Sequence, residues 1–163
     1  RHFPSVNWLT SYSLYAPALS GWFANNVSSD WGNLMTKLMS ILQEEDKLME
    51  IVQLVGSDSL PANQQLTLEV ARLIREFILQ QNAFHDIDTF CDLKKAHNMI
   101  KTVLYFGDLA ETSLEDHNTK IKDLLEIRSK DRIGEAKFTN DYEPLLVEIK
   151  QQIDQEIEEI NNK

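Results

Sequence analysis

From Trp31 onward, apolar side chains recur every three or four positions, the spacing by which an amphipathic helix buries one face and wets the other. The pattern predicts an all-α fold. Its first long helix carries Leu34, Leu38, Ile41, Met49, Val52 and Val55 on the apolar side, with Asp30 placed to cap its start and Gly56 to stop it. A turn through Ser57-Asp58-Ser59-Leu60 leads to Pro61, which a helix tolerates at its start, and to a second stripe of Leu66, Val70, Leu73, Ile74, Phe77 and Ile78. So short a link makes the two helices antiparallel.

The period is lost from Gln80 to Phe90, where Asn82, His85, Asp86, Asp88 and Thr89 favour local side-chain to backbone bonds, and this stretch reads as a loop. A third helix is expected from Asp92 as N-cap through Leu93, Ala96, Ile100, Val103 and Leu104 to about Glu111. A fourth is expected near Ser113, where Ser113 and Asp116 resemble a capping box ahead of Ile121, Leu124 and Leu125. Arg128-Ser129-Lys130-Asp131-Arg132 reads as a charged break. The last helix, entered near Asp141 with Pro144 in its first turn, lines up Leu146, Ile149, Ile153, Ile157 and Ile160, and leaves Asp154, Glu156, Glu158 and Glu159 as a solvated face. The expectation is a bundle of about five helices over residues 31–163. Residues 1–30 differ, with Pro4, Pro17, Gly21 and the aromatics Phe3, Trp8, Tyr12, Tyr15, Trp22 and Phe23, and read as an irregular lead-in.

With 163 residues the chain has room for one domain with a real core. It starts at Arg1 on what reads as the middle of a fold, so it is expected to be a piece of a longer protein. Sixteen Lys and Arg against 26 Asp and Glu give a net charge near −10, which repels nucleic acid and anionic lipid surfaces. No run approaches 18 consecutive apolar residues, so membrane insertion is not expected. The lone Cys91 reads as a small core side chain in a reducing compartment.

Catalytic constellations are not found. Phosphate cradles need Gly-x-x-x-x-Gly-Lys followed by Ser or Thr, and the five glycines stand singly, none before a lysine. No Glu-x-x-His recurs to build a di-metal site. His85 with Asp86 and Asp88 makes a weak metal pattern, more simply read as loop capping, and His97 and His117 read as packing or solvent-facing side chains. Ser11 and Ser13 lack the turn that would expose a nucleophile.

One resemblance adds to this. The run Ile41-Leu42-Gln43-Glu44-Glu45, continued by Glu50-Ile51-Val52-Gln53-Leu54-Val55-Gly56, resembles a segment of the catalytic A (alpha) subunits of V-type rotary ATPases of archaeal and bacterial style. Leu66-Thr67-Leu68-Glu69-Val70-Ala71, Leu79-Gln80-Gln81-Asn82-Ala83-Phe84 and the opening Phe3-Pro4-Ser5-Val6-Asn7-Trp8-Leu9 are similar to further segments, so the likeness covers residues 1 to about 110.

The resemblance implies that residues 1–30 are the tail of a nucleotide-binding domain and 31–163 a C-terminal bundle facing a central stalk. It implies that Phe3, Phe84, Phe90, Gln81, Asn82 and Ala83 border an adenine pocket, since flat aromatic faces hold a purine by stacking. Phe84 and Phe90 keep the six-residue spacing of two loop phenylalanines in the related F-type β subunit. By the same likeness Asp58, Ser59, Leu60 and Pro61 occupy the tip that meets the stalk, although only Asp58 there is charged, which points to steric rather than electrostatic contact. The implied ligands are ATP or ADP with Mg2+, and the implied partners are a non-catalytic B subunit, a hetero-hexameric ring of three A and three B subunits, and the central stalk. The implied place is the cytoplasmic side of a membrane, where ATP hydrolysis or synthesis is coupled to H+ or Na+ transport. Without the phosphate-binding loop, this piece alone is expected to be inactive. A different class of reading is an acidic helical adaptor that binds a basic partner.

Overall fold

The computed structural model describes residues 5–162, and among them there is no strand. Phe3 lies outside the described residues. The elements are α1 (Ala16–Asn26), α2 (Trp31–Val55), a 3-10 turn (Ser57–Ser59), α3 (Ala62–Leu73) continued by a π-helical segment (Ile74–Leu79), α4 (Leu93–Asp116), the short α5 (Ile121–Leu125), a 3-10 helix (Ser129–Phe138) and α6 (Tyr142–Asn161).

The core lies where α3 and α4 meet α2 on one side and α6 with the 3-10 helix on the other. Phe106, Val103, Leu73, Ile74, Ile133, Ile149 and Ile153 are among its fully buried members. Predicted stripes on α3 and α6 face it: Leu66, Val70, Leu73 and Ile74 are buried, as are Leu146, Ile149, Ile153 and Ile157. On α2 the expectation holds in part. Leu38 is buried and Leu34 and Ile41 pack against the core, whereas Met49 and Val55 are exposed, because the inner face runs through Leu38, Leu42, Glu45 and Leu48 at steps of four, three and three. Gly56 ends α2 at φ 84°, a left-handed conformation open to glycine at no steric cost, and its N–H donates to Val52 O at 2.9 Å.

Four expectations change. The lead-in is partly helical: α1 forms within residues 1–30, and Phe23 at its end stacks on Trp31 with ring centroids 5.2 Å apart. Asp30 makes no side-chain cap to α2. Its carboxylate instead meets His97 Nε2 at 2.7 Å and Lys101 Nζ at 3.1 Å, tying the α1–α2 corner to α4. Third, α4 does not break at Ser113. Ser113 Oγ donates back to Leu109 O at 3.0 Å and accepts from Asn161 Nδ2 at 3.1 Å, so a residue expected as an N-cap is a buried helix-interior seam with α6. The helix ends only where Asn118 takes φ 51°, a left-handed conformation asparagine tolerates. Finally, the charged break is a 3-10 helix that buries Ser129 and Lys130.

Asp92 does cap α4, accepting from Lys94 N and Lys95 N. No helix among the described residues is long and apolar enough to cross a membrane.

Candidate functional site

The stretch after α3 is bonded as tightly as a short helix. At its entry the π-helical segment closes with Gln80 N donating to Arg75 O at 2.9 Å, the i to i−5 bond that widens the turn. Asn82 N then donates to Asp88 Oδ2 at 2.6 Å, and Asn82 Oδ1 accepts from Phe84 N at 3.0 Å. His85 Nδ1 accepts from the N–H groups of Ile87 and Asp88, so His85 serves the loop as a cap. Its ring meets Phe138 edge-on at 4.7 Å.

Phe84 sits on this framework with its side chain 99% exposed, and Phe90 is 77% exposed. A large aromatic held bare on an ordered loop is the opposite of a core residue. Beneath Phe84 opens a groove of about 820 Å³, with Gln81, Asn82 and Ala83 on the loop side and Phe77, Gly134 and Phe138 opposite. Phe90 lies outside that lining. The structure therefore brings Phe84, Gln81, Asn82 and Ala83 together and sets Phe90 apart.

Charges rim the groove. Glu76, Asp131, Glu135 and Lys137 contribute to its wall. Arg72 gathers Glu69 at 2.8 Å, Glu76 at 2.8 Å and Asp131 at 2.6 Å, while the buried Lys130 reaches Glu69 at 3.2 Å and Asp131 at 3.3 Å. Burial works against the ionised Asp131 carboxyl, but the Arg72 hydrogen bond and the Lys130 charge outweigh it and hold the group below the usual carboxylate range. The Arg72 guanidinium is correspondingly held in its charged form, chiefly by its bond to Glu69. Sequence reasoning missed Gly134, Glu135, Lys137 and Phe138 entirely, because they stand some fifty positions downstream of the loop and carry no local motif.

The turn between α2 and α3 makes a second feature. Asp58, Ser59 and Pro61 are exposed, but Leu60 is only 7% exposed and its carbonyl accepts from Gln65 Nε2 at 2.8 Å. The Leu60 side chain anchors the turn from inside, and Asp58, Ser59 and Pro61 form its exposed surface. The neighbouring Leu54, 85% exposed, and Val55, 56% exposed, extend the tip with apolar surface, although the sequence pattern places Val55 on the apolar side of α2.

Residues 20–123 match the family described as the C-terminal domain of V and A type ATP synthase. Over 156 residues the chain is 47% identical to the A subunit of the A-type ATP synthase of Methanoregula boonei, covering 96% of this chain and 26% of that one. It is 48% identical over 158 residues to the corresponding A subunit of Methanothrix thermoacetophila, covering 97% and 27%. With the V-type ATP synthase alpha chain 1 of Clostridium tetani it is 45% identical over 164 residues, covering 100% and 28%. The chain thus spans about a quarter of the length of the curated relatives it matches. An all-helical bundle, a family match over residues 20–123 and the A and alpha chains of such synthases among its relatives lead to one conclusion: the chain belongs to the C-terminal domain family of V and A type ATP synthases.

Proposed function

We propose that this chain is the C-terminal region of the A subunit of an ATP synthase, in which the Gln80–Phe90 loop offers Phe84 to the adenine of ATP or ADP. The observation that carries this reading is the 99% exposure of Phe84 on a loop whose backbone is held by Asp88, Asn82 and His85. An aromatic ring kept bare at the edge of a groove has a face free for stacking, and the loop bonds fix the backbone from which it projects.

In the intact protein the phosphates and Mg2+ would be held elsewhere. Among the described residues no group of three His, Cys, Asp or Glu side chains could hold a metal ion. The acids of the groove, Glu76, Asp131 and Glu135, suit the amino edge of a base better than a phosphate. The whole protein would sit with B subunits in a ring of three A and three B chains, peripheral to the membrane on its cytoplasmic side, and couple ATP turnover to H+ or Na+ movement. The α2–α3 pair would carry motion from the groove to the tip, since α3 and its π-helical continuation end at the loop on one side and at Pro61 on the other.

The test is ATP hydrolysis by the full-length protein assembled with its B partner, with Phe84→Ala compared with wild type. Loss of a stacked base costs about 1–3 kcal/mol, so KM for ATP is expected to rise roughly five- to hundredfold. An azido-adenine nucleotide is expected to label the loop. An unchanged KM together with no labelling would sink the base-site assignment.

A further inference from the structure

Burying a carboxylate in a surface loop is costly unless its oxygens are used. Asp88 is 4% exposed. Its Oδ2 accepts from Asn82 N at 2.6 Å and faces Lys137 Nζ at 3.6 Å, while its backbone oxygen accepts from Gln81 Nε2 at 3.3 Å. The Lys137 side chain is itself only 11% exposed, and its Nζ donates to Glu76 O at 3.1 Å in the π-helical segment. One ion pair therefore ties together the start of the loop, its far end, the exit from α3 and the end of the 3-10 helix.

From Asp88 the path to the aromatic ring is short. Asp88 fixes the Asn82 backbone, and the Asn82 side chain accepts from Phe84 N. The Phe84 ring is too exposed for packing to hold it, so these polar bonds decide where it stands. Lys137 lies beyond residues 20–123, the part that the family match covers.

We propose that Asp88 and Lys137 are positioning residues for nucleotide binding: acting through Asn82, they hold the loop in the one conformation that presents Phe84 over the groove. The proposal rests on the base-site reading above. Asp88 stands outside the lining of the groove, and Lys137, which contributes to its wall, acts here through its ammonium on Asp88. The pair makes the pocket ready before the nucleotide arrives, which lowers the ordering cost that binding would otherwise meet. Removing one partner leaves the other charge buried and unpaired, so Asp88→Ala and Lys137→Met also lower the melting temperature, and the positioning role is read from the affinity of the assembled protein and its repair by the conservative variants.

The experiment uses the full-length protein assembled with its B partner and follows KM and kcat for ATP, with thermal melting of each assembly as control. Asp88→Ala and Lys137→Met are expected to raise KM roughly three- to tenfold, with kcat held to within about twofold. Lys137→Arg, which keeps a buried cation, and Asp88→Asn, which keeps an acceptor for Asn82 N–H, are expected to recover most of the affinity. Phe84→Ala runs alongside. If it raises KM while Asp88→Ala and Lys137→Met do not, the positioning role is wrong and the base site stands. If Phe84→Ala leaves KM unchanged, the base site fails and takes this proposal with it. A loss of kcat and melting temperature that neither conservative variant repairs also overturns it, because that marks a merely structural pair. Should Asp88→Ala fail to assemble, the contrast between Lys137→Met and Lys137→Arg decides.

Discussion

Lys95, Lys130 and Lys137 leave the solvent to donate to backbone carbonyls at the ends of short helical segments. Lys130, 2% exposed, reaches Leu125 O at 2.8 Å and Ile127 O at 2.9 Å, just past α5. Lys95, 5% exposed, reaches Lys137 O at 3.0 Å and Thr139 O at 2.9 Å, at the end of the 3-10 helix. The last carbonyls of a helix have no partner within it, and a buried ammonium satisfies two at once. Lysine is ordinarily a surface residue, so nothing in the pattern around Lys130 betrays this. Lys130→Met would strand these carbonyls and leave the Glu69 carboxylate to Arg72 alone, and a loss of about 3 kcal/mol in urea unfolding is expected. Lys95→Met leaves only carbonyls behind, and about 1–3 kcal/mol is expected in the same titration. Asp30 supplies a pH test. Hydrogen bonds from Ser28 and then His97 hold its carboxyl well below its ordinary value of 3.8. A depressed native pKa gives stability that is fully present above the unfolded value and lost as pH falls through the native one. Asp30→Asn is therefore expected to destabilise at pH 7, with the difference from wild type shrinking once pH drops below about 3.8 and vanishing under stronger acid.

At the scale of elements, periodicity found the long helices and missed the short ones. A run of 20–25 residues repeats its apolar positions often enough to be unmistakable, as α2 and α6 do, while α4 runs on to Asp116, past the end expected near Glu111. The 3-10 helix from Ser129 to Phe138 is held by other means. Its first N–H groups, those of Arg128 and Ser129, are capped by the Glu156 carboxylate at 2.9 and 3.3 Å, so an acid expected as solvated surface on α6 is structural. Its middle turns on Gly134, where an added Cβ would stand 2.9 Å from the Phe77 ring. Phe77 is partly buried against the core in the fork between α3 and the loop, so its ring has little room to yield. Gly134→Ala is expected to cost about 1–3 kcal/mol in thermal or urea unfolding and, by pushing the wall of the groove, to weaken nucleotide binding in the intact protein.

Across the whole molecule, the groove and the tip lie at opposite ends of α3 and its continuation. Arg75 links that rod sideways to α2, meeting Glu45 at 2.8 Å where Glu45 is almost buried. On the proposed reading the two helices move as a pair, and force reaches the stalk through shape and apolar contact, with Asp58 contributing little. Asp58→Ala is expected to leave ion-coupled ATP hydrolysis of the assembled complex unchanged, whereas Leu54→Asp is expected to reduce coupling while sparing KM for ATP. Equal effects of both substitutions on coupling would favour an electrostatic contact instead.

Read alone, the sequence determined the fold class, the long helices, the loop that carries Phe84 and the family, because these depend on residues near one another in the chain. Helical spacing is a local property, and the matching segments from Ile41 to Phe84 are contiguous strings. Only the tertiary structure decided what closes the groove and what holds it. Lys137 reaches Asp88 across 49 positions, Lys130 reaches Glu69 across 61, and Asp30 reaches His97 across 67. Such pairs have no period and no spacing rule. They form because burial makes an unpaired charge costly, and the packing of α3 against α4, α6 and the 3-10 helix selects which partners come within reach.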